Sequence, residues 1–413
     1  MKGRRVAITG LGAVTALGNN QEDLFASLLQ GKSGISKIKG FDTTDFSVKI
    51  GAEAVNFDPK DFIPGKEIPR MDRYCQFAYA SAMMAFTDAR IELTSTDKEK
   101  FGVIIGSGIG GTMTFENEVK LLNEKGPSRV SPFFIPKLIG NMGAAHTAIA
   151  LGAKGYTSDP VTACASGTNA VGDAYRRIKY GDEDFMLAGG AEAAVCPISV
   201  AGFAVMRALS RRNDEPEKAS RPFDKDRDGF VVGEGAGILF LEEWDHAVNR
   251  GARIYAEIVG YGVTCDAFHI TLPDPLAEQQ TKCMQKAILE AGIEKEQVDY
   301  INSHGTSTGP NDATETKAIK NLFDSHAYNI SIHSTKSMIG HLLGAAGGVE
   351  AVVTSLTLFT GKIHPTINLD TPDPDCDLNY TPLTAIQRQL HYGISNSFGF
   401  GGHNFCILLK KAT

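Results

Sequence analysis

The chain has 413 residues, carries 41 Lys and Arg against 48 Asp and Glu for a net charge of −7, and is 42% hydrophobic. This composition excludes a disordered, collagenous or disulfide-scaffold chain, and the acidic balance argues against nucleic-acid binding, which needs an excess of cationic side chains. The length accommodates two or three domains, or two closely packed halves.

At the N terminus, Lys2, Arg4 and Arg5 precede an apolar run as they would in a signal peptide, but Gly10, Gly12 and Gly18 interrupt it. V-A-I-T-G-L-G reads instead as a strand entering a turn. Further β-rich runs ending near glycine or serine occur at Phe101–Gly106, 184–189 and 299–303, alternating with helical stretches such as 169–180 and 348–359. The alternation predicts an α/β architecture with buried strands. No uninterrupted run of eighteen apolar residues occurs, so no membrane span is expected. The seven cysteines are scattered without a C-x-x-C pair, which points to a reducing cytoplasm without disulfides or structural zinc.

The sequence echoes itself. The strand at 5–9 followed by Gly10-x-Gly12 resembles 254–259 followed by Gly260-x-Gly262, and the glycines running into a strand at 233–241 resemble those at 399–409. Between these bookends each part has a reactive side chain opening an Ala- and Gly-rich helix, Cys164 in one and Lys336/His341 in the other. The order predicts a duplicated fold, divided into residues 1–252 and 253–413. The first part is longer, and its insertions are expected in loop-rich stretches at 20–100, 111–136 and 203–228.

Two motifs are set aside. Gly10-Leu-Gly12 begins like a dinucleotide fingerprint, but Thr15 stands where the third glycine should be. Asp224-Lys-Asp226-Arg-Asp228-Gly229 imitates a calcium loop, but its twelfth position is Gly235 rather than Glu; a salt-bridged turn is expected there.

The chemistry concentrates elsewhere. Cys164 sits in V-T-A-C-A-S-G-T-N, small residues between a strand and a helix. The positive end of the helix dipole is expected to lower its thiol pKa and make it a nucleophile, while the other six cysteines read as buried structural residues. His304 in N-S-H-G-T-S-T and His341 in K-S-M-I-G-H are the two histidines set beside glycine at strand ends. Thr306 and Thr308 offer hydroxyls to a bound chain, and Lys336 adds positive charge. Asn396-Ser-Phe-Gly-Phe400-Gly-Gly402 supplies backbone N–H groups that could form an oxyanion hole with the Cys164 amide. A papain-like hydrolase also pairs Cys with His, but it lacks use for a second His and a Lys. Two neutral imidazoles converging on one carbonyl oxygen fit a reaction that builds an enolate.

The blocks V-A-I-T-G-L-G, V-T-A-C-A-S-G-T-N, P-F-D-K-D-R-D-G-F-V-V-G-E-G-A-G, H-G-T-S-T, K-S-M-I-G-H and N-S-F-G-F-G-G together resemble the 3-oxoacyl-[acyl-carrier-protein] synthases, condensing enzymes of the thiolase superfamily. The longer first half and Asn311-Asp312 are most similar to the synthase II type. The resemblance implies a five-layered αβαβα fold of two similar halves, a homodimer, and decarboxylating condensation of acyl and malonyl carrier-protein thioesters in fatty-acid elongation. A polyketide or specialised lipid ketosynthase is the alternative; a degradative thiolase would need a second Cys. The implied catalytic set is Cys164, His304 and His341, with Lys336 ordering the site through Asp312 and Glu315, and Phe400 as a gate to the acyl pocket.

Thr306, Thr308, Ile109, Phe203 and Phe398 are the implied substrate contacts, and Lys66, Arg70, Arg129 and Arg207 an implied basic rim for an acidic carrier protein. Asn302, Glu350, Ser395 and Asn396 resemble a cation-binding group of oxygen donors, consistent with a structural monovalent cation; no other cofactor is implied. Gly309-Pro310 departs from the family pattern and leaves the shape of that turn open.

Overall fold

The computed structural model describes residues 3–412. Its main sheet has ten strands: β1 Val6–Val14, β2 Phe101–Gly106, β3 Thr157–Ser158, β4 Phe185–Ala193, β5 Glu234–Glu243, β6 Ala256–Cys265, β7 Tyr300–Asn302, β8 Ser331–His333, β9 Tyr392–Gly399 and β10 His403–Lys411. Five helices position the site: α1 Arg73–Ala89, α2 Ser166–Tyr180, α3 Glu278–Ala291, α4 Gly309–Phe323 and α5 Ala346–Thr360.

Across the sheet the strands run β8-β7-β9-β10-β6-β1-β5-β4-β2-β3. Counted outward from the centre, each group of five has the order first, fifth, fourth, second, third. The pairing sense repeats as well. β2 is parallel to β3 and β4, as β7 is to β8 and β9, whereas β1–β5, β5–β4, β6–β10 and β10–β9 are antiparallel. The two groups touch where β1 and β6 pair over Val6–Ile258, Ala7–Glu257 and Ile8–Ala256.

Helices α2 and α5 form the middle layer, each packed against strands of both groups, while α1 covers the first group outside and α3 covers the second, with α4 packed against α3. The result is the five-layered αβαβα architecture of two like halves. β1, β2 and β4 are buried along their whole length, which is why they read as apolar runs rather than alternating ones. α5 is buried on nearly every side, as a helix between two sheets must be. The 18-residue stretch Leu343–Thr360 is apolar enough to cross a membrane, but 89% of it is buried inside the protein; it is the core helix.

Glycines set the spacing of this middle layer. A Cβ on Gly167 would lie 2.6 Å from the Gly348 nitrogen, and one on Gly237 would lie 2.3 Å from the Val349 nitrogen. Gly10 and Gly12, the dinucleotide-like pair, serve the same purpose on the outer face, where added Cβ atoms would meet the Ala85 and Ser81 carbonyls of α1 at 2.0 Å.

Stretch 20–100 is therefore not the loop-rich insertion expected: it contains α1, whose alanines let it lie flat on β1. Stretch 111–136 likewise contains a helix, Thr112–Lys125. The calcium-like turn is held by ion pairs, Arg221 with Asp224 at 2.9 Å and Arg227 with both Asp312 and Asp373. Pro310 falls in the first turn of α4, where its missing N–H costs no hydrogen bond.

Candidate active site

Cys164 occupies a single 3-10 turn, Ala163–Ala165, that feeds α2. Ala163 is held at φ +51°, a conformation costing about 1–3 kcal/mol for a residue with a side chain. Ser166 locks the turn: its Oγ accepts from the Thr162 N–H at 2.9 Å and donates to the Ala163 carbonyl at 2.7 Å. The second half repeats the device. Leu343, at φ +48°, opens the turn Leu343–Ala345 that feeds α5, and Gly344 stands where the first half has Cys164.

A cavity of about 400 Å³ is lined by Cys164, Phe203, His304, Thr306, Thr308, His341, Leu343, Phe398 and Phe400, with Arg207 and Arg227 also on its wall. His304 and His341 meet edge to face with ring centroids 5.4 Å apart. His304 follows β7, and its loop is pinned by Glu315 of α4, which accepts the His304 and Gly305 N–H groups at 2.9 and 2.8 Å.

The tautomers of both rings follow from their neighbours. Lys336 Nζ lies 3.4 Å from His304 Nδ1 and can only donate, while the Leu343 N–H donates to His341 Nδ1 at 3.2 Å. Each Nδ1 is thus an acceptor, and each ring carries its proton on Nε2. Burial, with the Lys336 charge second, holds both imidazoles well below the ordinary histidine pKa. The site therefore presents two neutral Nε2–H donors, the arrangement an enolate oxygen needs.

Two electrostatic expectations are corrected. Burial pushes the Cys164 thiol up to about 11, against the lowering expected at a helix start; Lys336 and the backbone N–H groups of Phe400 and Cys164 itself act in the opposite direction. Lys336 does not reach Asp312 or Glu315. Its ammonium pairs with Glu350 of α5, because a buried lysine takes the nearest buried carboxylate and Asp312 is already engaged by Arg227 and the Phe223 and Thr306 N–H groups.

Thr306 and Thr308 bond each other at 2.9 Å on the cavity wall. Phe400, half-buried, precedes Gly401 and Gly402 at φ +86° and +74°. Phe398 packs 6.0 Å from His304 and Phe203 packs 5.4 Å from Phe230. Ile109 is not brought to this cavity; its side chain is exposed on the loop after β2. Lys66, Arg70, Arg129 and Arg207 are all exposed, and Arg207 alone of the four lines the cavity. Asn302, Glu350, Ser395 and Asn396 cluster in the interior behind Lys336, with Asn302 opposite Ser395 in the β7–β9 register. Cys265 is exposed at the end of β6, unlike the five other cysteines read as buried.

The sequence reading passed over Glu192 and Arg227. Glu192 is a lone charge in the small-residue strand A-G-G-A-E-A-A, a signal in itself, since a carboxylate in a fully buried strand requires donors. Arg227 holds the Thr308 and Gly309 carbonyls at 3.1 and 3.3 Å and was hidden in the calcium-like run.

The sequence matches the family described as Beta-ketoacyl synthase, N-terminal domain over residues 3–247, and Beta-ketoacyl synthase, C-terminal domain over residues 255–370. It is 51% identical over 408 residues to the Synechocystis sp. protein named 3-oxoacyl-[acyl-carrier-protein] synthase 2, covering 99% of this chain and 98% of that one. Among solved structures, it is similar to a beta-ketoacyl synthase from Burkholderia phymatum, with TM-score 0.92 and 35% identity over 99% of this chain and all of that one. A type II polyketide ketosynthase, solved in complex with its acyl-carrier protein, is similar at TM-score 0.92 and 35% identity, again over 99% and 100%.

Proposed function

The chain belongs to the beta-ketoacyl synthase family, and from that premise we propose how its own residues carry out acyl transfer. It is an acyltransferase that condenses acyl-[acyl-carrier-protein] with malonyl-[acyl-carrier-protein] in fatty-acid elongation. The 51% identity to a synthase 2 against 35% to the polyketide ketosynthase favours this substrate assignment.

Cys164 sulfur attacks the acyl thioester, and its proton leaves with the departing carrier thiol. The oxyanion faces the N–H groups of Cys164 and Phe400. Malonyl thioester then enters; His304 and His341 donate Nε2–H bonds to its carbonyl oxygen as the carboxylate leaves as CO2 and the electron pair forms an enolate. The enolate carbon attacks the acyl-Cys164 carbonyl, the cysteine sulfur departs and takes a proton from water, and a 3-oxoacyl thioester two carbons longer is released. The steps consume no nucleotide or redox cofactor. The observation that carries this reading is the pair of neutral Nε2–H imidazoles set in one cavity with Cys164.

Thr306 and Thr308 receive the carrier's pantetheine arm, and Phe203 and Phe398 contact the substrate chain. Phe400 gates the entry of that chain on its glycine hinge. Lys66, Arg70, Arg129 and Arg207 attract the acidic carrier protein. Asn302, Glu350, Ser395 and Asn396 hold a monovalent cation: Glu350 Oε2, Ser395 Oγ and Asn396 Oδ1 are all buried without a hydrogen-bond partner, and oxygen donors suit a hard cation. Such a cation would supply positive charge that keeps Glu350 ionised beside Lys336. The exposed apolar side chains Phe115, Val119, Leu122, Phe133 and Ile135 support a homodimer across this face. Seven unpaired cysteines support a cytoplasmic setting.

The test is to incubate acyl and malonyl carrier-protein thioesters with the protein and follow CO2 and product mass. We expect a 3-oxoacyl product with the wild type. His304→Ala should lower malonyl decarboxylation by roughly 10²-fold or more, the scale of losing one oxyanion donor. Full decarboxylation by that variant would refute the histidine assignment.

A further inference from the structure

Glu192, at the end of β4, stands behind the cavity wall rather than in it. It is fully buried, and burial pushes its carboxyl up to about 7. Its Oε1 accepts from Ser107 Oγ at 2.8 Å and the Ile109 N–H at 3.3 Å, and its Oε2 from the Gly108 and Gly344 N–H groups at 2.7 and 3.0 Å. All four donors are neutral, so this buried carboxylate is held by hydrogen bonds rather than by an ion pair.

The donors come from two segments far apart in the chain, the loop after β2 and the turn that feeds α5. Ser107, Gly108 and Ile109 form the loop after β2, and a Cβ on Gly108 would be in van der Waals contact, 3.6 Å, with the Ala163 carbonyl oxygen next to Cys164. Gly344 belongs to the second half and follows Leu343, which lines the cavity. The approach leaves no room for side chains: a Cβ on Gly344 would lie 2.3 Å from the Gly108 nitrogen. Gly344 is also the counterpart of Cys164 in the duplicated fold. In the first half that backbone N–H faces the reactive sulfur; in the second it is taken by Glu192.

We propose that Glu192 is a positioning residue for acyl-chain discrimination, fastening the 107–109 loop to the Leu343–Gly344 turn so that the wall beside Cys164 keeps one shape. This rests on the reading of the cavity as the site where the acyl chain loads onto Cys164. Glu192 touches no reacting atom; it acts through Leu343 on one side and the Ala163–Cys164 turn on the other.

Glu192→Gln keeps the shape but turns one acceptor into a donor, which must then face the N–H and O–H donors already there. Ser107→Ala removes a single donor and leaves the carboxylate, so it carries the test even if the first variant does not fold. Single-turnover acylation of Cys164 by short, medium and long acyl carrier-protein thioesters, read by intact mass, gives a rate for each chain length.

We expect the long-to-short rate ratio to change by roughly tenfold in Glu192→Gln and in the same direction, by less, in Ser107→Ala, since small misplacements of a binding wall act on this scale. A merely structural residue would lower all chain lengths alike. Wild-type discrimination with an unchanged ratio in both variants overturns the Glu192 proposal alone. No adduct in the wild type at any length overturns the nucleophile reading and this proposal with it.

Discussion

At Cys164 two demands of the proposed mechanism oppose each other: the cavity must be dry enough to protect an enolate, yet dryness penalises the thiolate. Lys336 is the charge that offsets the second, so removing it should raise the thiol pKa further. Lys336→Met alone strips buried Glu350 of its ammonium partner, so the informative variant is Lys336→Met with Glu350→Gln. In that variant iodoacetamide should label Cys164 severalfold more slowly at about pH 8, with the pH midpoint of labelling displaced upward. An unmoved midpoint would show that Lys336 does not govern the sulfur. That Cys164, His304 and His341 meet in one cavity was legible in the sequence because small or glycine-rich neighbours mark the turns that present them. The Lys336–Glu350 pair was not legible, since only the folded packing of α5 decides which of Asp312, Glu315 and Glu350 comes within reach.

At the scale of elements, the middle layer depends on close backbone approach between α2, α5 and the strands beside them. Gly348→Ala would place a Cβ 2.3 Å from the Gly237 carbonyl oxygen, and backbone has no rotamer by which to yield. The variant should lose at least about 1–3 kcal/mol of stability, seen as a lower denaturation midpoint, whereas Gly65→Ala would meet no neighbour within 4 Å. An equal stability in the Gly348 variant would contradict the packing described. Helices α2 and α5 and the starts of β1, β2, β4, β5, β6, β7 and β10 were readable from the sequence to within a few residues, whereas α3, α4, β3, β8 and β9 were not. The repeated order of Gly-x-Gly strands and reactive turns also announced two like halves. α1 escaped notice because its face toward β1 is made of alanines, which give little hydrophobic contrast, and because its partner is a pair of glycines that mimic a nucleotide motif.

For the whole molecule, a chain of net charge −7 must attract an acidic carrier protein through local charge. Lys66→Glu with Arg129→Glu should raise the half-saturating concentration of carrier-protein thioesters roughly tenfold at low salt and flatten its salt dependence, since rim charges act chiefly on encounter. Short pantetheine thioesters should be used as well as before; an equal loss with both substrates would mean the cavity itself was damaged. In the proposed reaction Cys164 carries the acyl chain from one half of the chemistry to the other. Intact-protein mass after incubation with acyl carrier-protein thioesters, with Cys164→Ala alongside, tests it most directly. One acyl adduct is expected on the wild type, removed by malonyl thioester and absent from the variant. An adduct that persists in Cys164→Ala, or none on the wild type with any chain, would contradict it.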